Sequence, residues 1–433
     1  MNKDNKIELL APAGNPEKMK TAFAYGADAV YLGIPDFSLR VRINDFGMKE
    51  IKEAVKYTHD FGKKVYVTVN IFAHNKHIDK LPKYIKELKK IKPDALIISD
   101  PGIISVVKEI WPDCEIHLST QANCTNWKSA KFWHEAGVKR IILGREVTLD
   151  EIKEIHEKVP EVDLEYFVHG AMCMSYSGRC FLSKYFLNRS ANLGDCVQPC
   201  RWKYGVESRK LKVESDKEFF ITEEKRPDQP LEIVEEEHGS YILNSKDLCL
   251  IKYLKDLVEV GVVSVKIEGR AKSVYYEAMV NGIYRKALNM IEDGDINKKD
   301  LDYFYKELDT KLVHRGYTDG FLLGGEADQE INESHQKCDW EFCGQAIKKS
   351  EIKNQKSKWE ISVKVHNTLR VGDEIEIVKP FYDIISMKLE KMVDSKNNKE
   401  IKEAHGGSGG QTVIIEMDEE VLEYSVIRRK IKK

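Results

Sequence analysis

The sequence has no apolar run that approaches the ~20 residues of a membrane-spanning helix. Its first residues, MNKDNKIELLAPAGN, also lack the apolar core of a signal peptide. A strong charge of one sign is missing too, since 69 basic and 71 acidic side chains leave a formal net charge of −2. The protein therefore lacks the overall positive electrostatic potential that is typical of nucleic-acid-binding proteins. A local basic patch would still be compatible with RNA binding. We expect a cytoplasmic protein, in which disulfides are rare and clustered cysteines favour a metal or redox site.

The motifs of two common peptidase classes are missing as well. Neither HEAGVK nor HEKVPE reaches the second histidine of an HExxH zinc site. The one GxSxG string, GGSGG around Ser408 with His405 before it, stands among short strand-like runs and not on a strand-to-helix turn. We interpret it as a glycine-rich hairpin loop, so proteolysis lacks a sound catalytic set.

One pattern recurs over the first 270 residues. A short apolar run, rich in β-branched residues, ends each time at a polar residue or a glycine. Such runs lie at residues 7–14, 25–33, 63–72, 92–100, 115–123, 136–146, 162–170 and 260–270. They are typical of strands buried on both faces, and helical spacing occurs between most of them. The pattern predicts an α/β fold, a (β/α)8 TIM-type barrel, complete or distorted. A doubly wound sheet is the alternative, because counting strands does not show closure.

Two later regions depart from this pattern. Residues 201–242 are charged, interrupted by proline and carry short alternating runs, which predicts an insertion of β-hairpins. After about residue 335 the sequence changes to short strands separated by turn residues. We therefore predict a catalytic domain over 1–335 and a small C-terminal β-barrel domain over 336–433.

A barrel would gather the polar residues that end its apolar strands at one rim, where the active sites of TIM barrels lie. These residues are Asn70, Asp100, Gln121, Asn123, Arg145, His169, Lys266, Glu268 and Arg270. Packing alone explains polar residues in such places poorly. A surface ion pair is nevertheless the commoner fate of any one arginine or lysine.

Four of the nine cysteines lie within 28 positions, at Cys173, Cys180, Cys196 and Cys200. Separations of seven and four residues would place each pair on one face of a helix. Structural zinc sites usually have two to four residues between paired ligands, which fits the first pair poorly. Disulfides fit the spacing but not a reducing compartment, whereas an iron–sulfur cluster accepts flexible spacings. The spacing therefore favours a cluster over zinc and over unligated or paired thiols, with Cys249 as a reserve ligand.

The stretch EYFVHGAMCMSYSGRCFLS (165–183) resembles the signature of the collagenase-like peptidase family, unassigned peptidase family 32. The likeness covers nearly the whole chain. It continues through LLAPAGNPEKMKTAFAYGADAVYLG, FSLRVR, HLSTQANCTN, LGREV, GDCVQPCRWKY, LNSKDL, VKIEGR and HRGYTDGF. The long form with an all-β C-terminal region is most similar to the branch of prephenate-dependent tRNA uridine hydroxylases.

The resemblance implies a 4Fe–4S cluster on Cys173, Cys180, Cys196 and Cys200. It implies hydroxylation of the tRNA wobble uridine to 5-hydroxyuridine, with prephenate instead of dioxygen as the oxygen source. The implied partners are the anticodon region of tRNA and a related family member as a second subunit. Neither a membrane nor DNA is expected as a partner. Two alternatives stay open: a collagenase-like peptidase, and a non-catalytic RNA-binding or assembly factor with a structural cluster.

Prephenate carries two carboxylates, so its site should supply guanidinium or ammonium groups. The candidates are Arg40 and Arg42 in FSLRVR, Arg145, Lys266 and Arg270. The amides of Asn70, Gln121 and Asn123 are further candidates for substrate binding.

Catalytic roles are predicted for Arg145, Glu268 and His169. Glu268 would position a substrate hydroxyl or orient Arg270. His169 would donate a proton near the cluster or form a hydrogen bond to its ligands.

RNA contacts are predicted beside the cysteines, in RWKYG. Trp202 and Tyr204 would stack on a base, and Arg201 and Lys203 would contact phosphate.

Overall fold

The computed structural model describes residues 6–34, 36–39, 45–173, 175–176, 179–202, 204–210, 217–223, 226–233, 245–325, 338–348, 351–352, 359–407 and 410–431. Four residues singled out from the sequence, Arg40, Arg42, Lys203 and Ser408, lie outside these ranges.

Strands and helices alternate along most of the first 325 residues. The strands are β1 Glu8–Pro12, β2 Ala29–Gly33, β3 Lys64–Val69, β4 Ala95–Ile98, β5 Ile116–Leu118, β6 Arg140–Ile142, β7 Asp163–Ala171, β8 Tyr204–Lys210, β9 Lys217–Glu223, β10 Arg226–Ile233, β11 Asp247–Cys249, β12 Val262–Ile267 and β13 Tyr317–Thr318. The helices are α1 Pro16–Ala24, α2 Met48–Asp60, α3 Asn75–Ile78, α4 Leu81–Ile91, α5 Pro101–Ile110, α6 Trp127–Glu135, α7 Leu149–Lys158, α8 Leu182–Leu187, α9 Leu254–Glu259, α10 Val274–Asp293 and α11 Lys298–Lys311.

Eight parallel strands close into a barrel in the order β1 to β7 followed by β12. The closing strand, β12, pairs on one edge with β1, where Val265 lies opposite Leu9. On its other edge it pairs with β7, where the same Val265 lies opposite Tyr166. A doubly wound sheet would leave two open edges, so that alternative is wrong and the predicted barrel is confirmed. Each of its strands falls within one of the apolar runs, apart from the last residue of β7.

The helices cover the outside of the barrel with one apolar face each. In α4, for example, Leu81, Ile85 and Leu88 recur at helical spacing and are buried against the strands. The longest helix, α10, is buried along most of its length because the C-terminal domain packs on its outer side. Among the described residues, no helix is long and apolar enough to cross a bilayer.

The inserted region forms the predicted β-hairpins. β8, β9 and β10 make a separate three-stranded antiparallel sheet. The chain then returns to the barrel through β11, which runs antiparallel to the end of β7 and pairs with β13 on its other edge.

The C-terminal region is all-β, as predicted. Its strands are β14 Trp340–Ala346, β15 Glu351–Ile352, β16 Trp359–Val365, β17 Leu369–Arg370, β18 Glu374–Lys379, β19 Asp383–Lys388, β20 Met392–Asp394, β21 Glu400–Ile401, β22 Glu403–Ala404, β23 Thr412–Met417 and β24 Val426–Lys430. Most of them join one antiparallel sheet that curves into a half-barrel around its own apolar core, which includes Ile361, Val363 and Ile427.

Buried polar contacts fasten the half-barrel to the α10–α11 side of the barrel. The fully buried Arg428 of β24 contacts Glu307 of α11 at 3.1 Å and also pairs with Glu376 of β18. The Tyr25 hydroxyl, at the end of α1, donates to the carbonyl of Val378 and accepts from the Val426 N–H at 3.1 Å. Because these groups are shielded from water, the two domains are held in one arrangement.

Candidate functional site

A cavity of about 530 Å³ opens at the carboxyl end of the barrel strands. Its floor carries residues that end or follow β3, β5, β6 and β12, and its outer wall is the segment 173–200 that follows β7. Ten residues predicted from the sequence line it together: Asn70, Gln121, Arg145, Cys173, Cys180, Cys196, Cys200, Lys266, Glu268 and Arg270. The barrel thus brings the predicted rim and the predicted cysteine site into one chamber.

Three buried cations and the exposed Arg179 line this cavity, and the buried three differ in how far protein groups satisfy them. Arg270 donates to the carbonyl of Leu39 at 2.8 Å and to the Thr68 hydroxyl at 3.4 Å. Arg145 lies with its guanidinium 4.2 Å from the ring centroid of Phe167. Among the described residues it has no side-chain hydrogen bond or ion pair, so it is the buried cation most available to an anionic ligand.

Lys266 is held at the cavity floor by a buried carboxylate. Its ammonium donates to Glu165 at 2.8 Å, and both side chains are almost inaccessible to water. Burial lowers the pKa of Lys266, and Glu165 opposes that shift. Although burial alone would raise the pKa of Glu165, Lys266 and Arg140 hold it below its usual range. Lys266 therefore reaches the cavity as one partner of a buried pair with Glu165.

A chain of polar groups fixes Gln121. Its side-chain oxygen accepts from Asn70 at 3.1 Å and from the hydroxyl of Ser119. Asn70 in turn accepts from the backbone of Leu39 at 3.2 Å. The amide nitrogen of Gln121 has no partner among the described residues, so it can donate to a carbonyl or carboxylate of a ligand.

Aromatic rings form the apolar part of the floor. The Tyr31 ring lies 4.4 Å from the Lys266 ammonium and 5.6 Å from the Arg270 guanidinium, measured to the ring centroid. Phe167 separates Lys266 from Arg145. Tyr31 and Phe167 were not predicted from the sequence because they lie inside apolar strands. The alternation of inward-facing positions along β2 and β7 could have indicated them.

The four cysteines line the cavity on short, irregular elements. The helical arrangement expected for Cys173 and Cys180 is wrong, because α8 begins only after both of them. Cys200 lies in a short 3-10 turn, and the Cys196 thiol accepts from the Ser183 hydroxyl at 3.7 Å. All four thiols are free of disulfides.

The four thiols are the donors that a metal centre at this cavity would use. Among the described residues, no three His, Cys, Asp or Glu side chains converge as ligands of one metal ion. A 4Fe–4S cluster takes one thiolate on each of four irons, so four cysteines lining one cavity supply the number and kind of donors that it requires.

His169 does not line the cavity. Its ring packs between α10 and β13, with Nδ1 3.4 Å from the Tyr284 hydroxyl and Nε2 3.5 Å from the Tyr317 hydroxyl. The cause is a bulge in β7, since Lys266 lies opposite Phe167 while the next residue, Ile267, lies opposite His169. The extra residue reverses the alternation and turns His169 outward.

The position of His169 also sets its protonation state. Burial lowers its pKa to about 3. At pH 7 His169 is therefore a neutral imidazole and not the imidazolium that would act as a general acid. The predicted role as a proton donor at the cluster has no support in this arrangement.

Other predicted residues are dispersed around the site. Asn123 lies near the rim in a left-handed turn without lining the cavity, and Asp100 caps the N-terminus of α5 by accepting from Ile103 at 3.0 Å. Cys249 is buried in β11 and does not line the cavity, and burial raises its pKa to about 12. Trp202 stands beside Phe186 with 5.9 Å between ring centroids.

The remaining RNA candidates are described only by their backbone. Arg201 ends the 3-10 turn that contains Cys200, and Tyr204 begins β8.

No serine or cysteine nucleophile with a histidine base is visible among the described residues. His405 is exposed and contacts Thr368 and Glu403 in the half-barrel, in a segment between short strands. The other candidate base, His169, faces tyrosines instead of the cavity in which Cys173 lies.

The fold and the cavity define a (β/α)8-barrel protein with a cation-rich, thiol-lined chamber at the rim where barrel enzymes carry their active sites. The sequence matches Peptidase family U32 over residues 14–332 and the Peptidase family U32 C-terminal domain over residues 339–428. The chain belongs to peptidase family U32.

Similar proteins carry names of two kinds. The chain is 40% identical to the tRNA hydroxylation protein P of Haemophilus influenzae, over 98% of this chain and 96% of the relative. It is 41% identical to the protein of the same name from Escherichia coli, over 90% of each chain. It is also 30% identical to a protein named Collagenase from Porphyromonas gingivalis, over 96% of each chain.

Proposed function

We propose that this protein is an RNA-modifying enzyme that hydroxylates the wobble uridine of tRNA to 5-hydroxyuridine, with prephenate as the oxygen source. The observation that carries the proposal is one cavity that combines four cysteine side chains outside any disulfide with Arg145, Lys266 and Arg270. The relatives named for tRNA hydroxylation, at about 40% identity over nearly the full length, support the RNA substrate.

The cations of the cavity suit a small dicarboxylate. Arg145 would bind one carboxylate through its uncommitted guanidinium, and Lys266, paired with Glu165, would bind the other. Gln121 would donate its free amide N–H to the ligand or to the edge of a uracil. Tyr31 and Phe167 exclude water from the floor, which strengthens each of these charged contacts.

We infer that Cys173, Cys180, Cys196 and Cys200 hold a 4Fe–4S cluster. Such a cluster would supply electron transfer or Lewis acidity beside the bound substrate. Cys249 has no access to the same cavity, which favours these four thiols over a set that includes it.

The first test is the metal content of protein purified without oxygen. We expect about four iron and four acid-labile sulfide per chain, as four thiolate ligands imply. Cys173→Ala and Cys200→Ala should lose both elements together and form no 5-hydroxyuridine in tRNA, whereas Cys114→Ala, a buried cysteine outside the cavity, should retain them. Stoichiometric zinc without sulfide would contradict the proposal.

Peptidase activity is the second candidate, because a relative across the full length is named Collagenase. The described residues supply no nucleophile and base for it, so we expect no hydrolysis of gelatin above that of a Cys173→Ala variant. Gelatin cleavage that persists in pure protein and disappears with one side chain would revive this candidate.

A further inference from the structure

The wall of the cavity exposes aromatic rings to solvent. Phe181 and Tyr185 are each 73% exposed, and both line the cavity beside the cysteines. Tyr176, on the same segment, is 54% exposed. Water-exposed rings of this size are unfavourable in an isolated protein, and a cluster of them beside a cavity marks a binding surface.

The rings continue outward from the mouth of the cavity. The centroids of Tyr185 and Phe186 are 5.3 Å apart, and those of Phe186 and Trp202 are 5.9 Å apart. Their support is firm, because Ser183 on the same helix is fully buried and accepts from the Val197 N–H at 3.1 Å. The aromatic row is therefore fixed to the segment that carries Cys196.

Positive charge surrounds this row. Arg179 is exposed and lines the cavity together with Phe181. A second cavity of about 380 Å³ adjoins the first through residues 191–195 and is lined by Lys76, His77 and Lys80. Among the described residues, no carboxylate pairs with Lys76 or Lys80.

The acidic residues of the second cavity are already engaged. Asp36 accepts from the Tyr84 hydroxyl at 3.2 Å, and Asp195 pairs with Arg189 at 2.7 and 3.1 Å. Because Asp195 is neutralised by Arg189, two lysines face one charged carboxylate, and the net charge of this cavity is positive. In agreement, burial and the neighbouring Lys76, His74 and Lys80 lower the pKa of His77.

We propose that Phe181 and Tyr185 form a stacking platform for unpaired bases of an RNA loop, while Lys76 and Lys80 contact its phosphates. Exposed rings at one cavity and lysines at the adjoining cavity suit a single strand, which presents unstacked bases and one negative charge per nucleotide. The platform rests on the proposed function, because it would deliver one base to the cavity. The platform consists of other residues than the RNA contacts predicted at residues 201–204. Of those, Trp202 lies at the outer end of the aromatic row, beside Phe186.

The test uses the full chain, purified without oxygen, and an anticodon stem-loop RNA with 2-aminopurine in its loop. Loss of one stacked ring weakens binding by about 1–3 kcal/mol, so Phe181→Leu and Tyr185→Leu should bind roughly 5- to 100-fold more weakly. Wild-type protein should quench the probe by stacking, and the two variants should quench it less. Phe132→Leu on α6, a ring 62% exposed away from either cavity, is the matched control and should bind as wild type.

Further variants separate the platform from a general loss of structure. Phe181→Tyr keeps the ring and should retain binding, and all variants should keep their iron and sulfide. Lys76→Gln with Lys80→Gln should flatten the dependence of log affinity on log salt by roughly 0.7 per lysine. Unchanged affinity, quenching and salt dependence in folded variants would refute the platform.

The platform and the proposed function fail in different ways. Loop binding that depends on Phe181 and Tyr185, without any 5-hydroxyuridine formed, would support the platform and refute the hydroxylase. Hydroxylation with wild-type affinity in the Leu variants would refute the platform alone.

Discussion

Two arginines on the same stretch of chain, RIILGR, meet opposite fates at the two ends of the barrel. Arg140 begins β6 at the amino end and contacts Glu8 at 2.5 Å and Glu165 at 3.4 Å. Arg145 follows β6 at the carboxyl end and has no carboxylate partner among the described residues. Both are nearly buried. A buried charge is tolerated only when it is paired, so an unpaired one points to a ligand that completes it.

The difference extends beyond the two arginines. At the amino end Ser264 donates to Glu8 at 2.9 Å and to Glu165 at 3.3 Å, and Tyr66 donates to Glu8 at 2.6 Å. Each charge there has its partners inside the protein. At the carboxyl end the amide nitrogen of Gln121 and the guanidinium of Arg145 have no hydrogen-bond partner in the part of the chain that the structure describes. In barrels the amino end generally serves stability and the carboxyl end serves function, and the polar groups here divide in that way.

Removing the paired arginine should produce the largest change in stability. Arg140→Leu leaves Glu8 without its buried cation and Glu165 with Lys266 alone, which costs about 3–5 kcal/mol. Urea denaturation of protein purified without oxygen would measure this loss, and Arg140→Lys, which keeps a charge, should lose less. A loss below about 1 kcal/mol would mean that the two ends are not distinguished as we describe.

Removing the open arginine should change activity and leave stability nearly unchanged. A hydrogen bond to a charged group contributes about 1.5–3 kcal/mol, so Arg145→Leu should lower kcat/KM for the proposed co-substrate, prephenate, roughly 10- to 100-fold. Its free energy of unfolding should fall by about 1 kcal/mol or less, because among the described residues the side chain gives up its contact with the Phe167 ring and no ion pair. An equal loss of stability in both arginine variants would contradict the distinction between a stabilising amino end and a ligand-binding carboxyl end.

The smallest effect concerns His169, which belongs to neither end. Its folded pKa of about 3 lies below the value of about 6.5 in an unfolded chain. The unfolded state therefore binds more protons than the folded state below pH 6.5. The free energy of unfolding is unaffected by His169 above pH 6.5 and decreases as the pH falls from 6.5 toward 3. The slope is about 1.4 kcal/mol per pH unit.

His169→Phe should remove that slope, which urea midpoints between pH 7 and pH 4.5 would show. His405→Phe, at an exposed histidine, is the control and should keep the wild-type slope. A variant at residue 169 that follows the wild-type curve would show that the imidazole is protonated inside the fold.

Much of the barrel could be predicted from the sequence because its strands are local apolar runs. The run 63–72 contains β3, and the run 260–270 contains β12. Two-sided burial makes such runs nearly continuous, so their positions are visible without knowledge of their neighbours. The change to the half-barrel near residue 335 was visible for the same reason, as turn residues begin to separate short strands.

The site could be predicted in part. Asn70, Arg145 and Glu268 were found because parallel strands bring their carboxyl ends to one rim. His169 followed the same rule in the sequence, yet the bulge in β7 turns it away. The bulge is defined by the pairing of β7 with β12, which lies about a hundred residues further along the chain. Local sequence patterns therefore do not show it.

The sequence by itself determined the alternation of strands and helices, the all-β C-terminal region and the concentration of thiols in one segment. Only the tertiary structure decided closure, since β12 had to pair with both β1 and β7. Closure in turn decided which polar side chains are paired and which are open, because Glu165 reaches both Arg140 and Lys266 only across the barrel interior. It also brought the exposed rings of Phe181 and Tyr185 to the mouth of the same cavity. Local sequence patterns indicate which residues of a segment are buried. Which charges are paired depends on contacts between segments that are distant in the sequence.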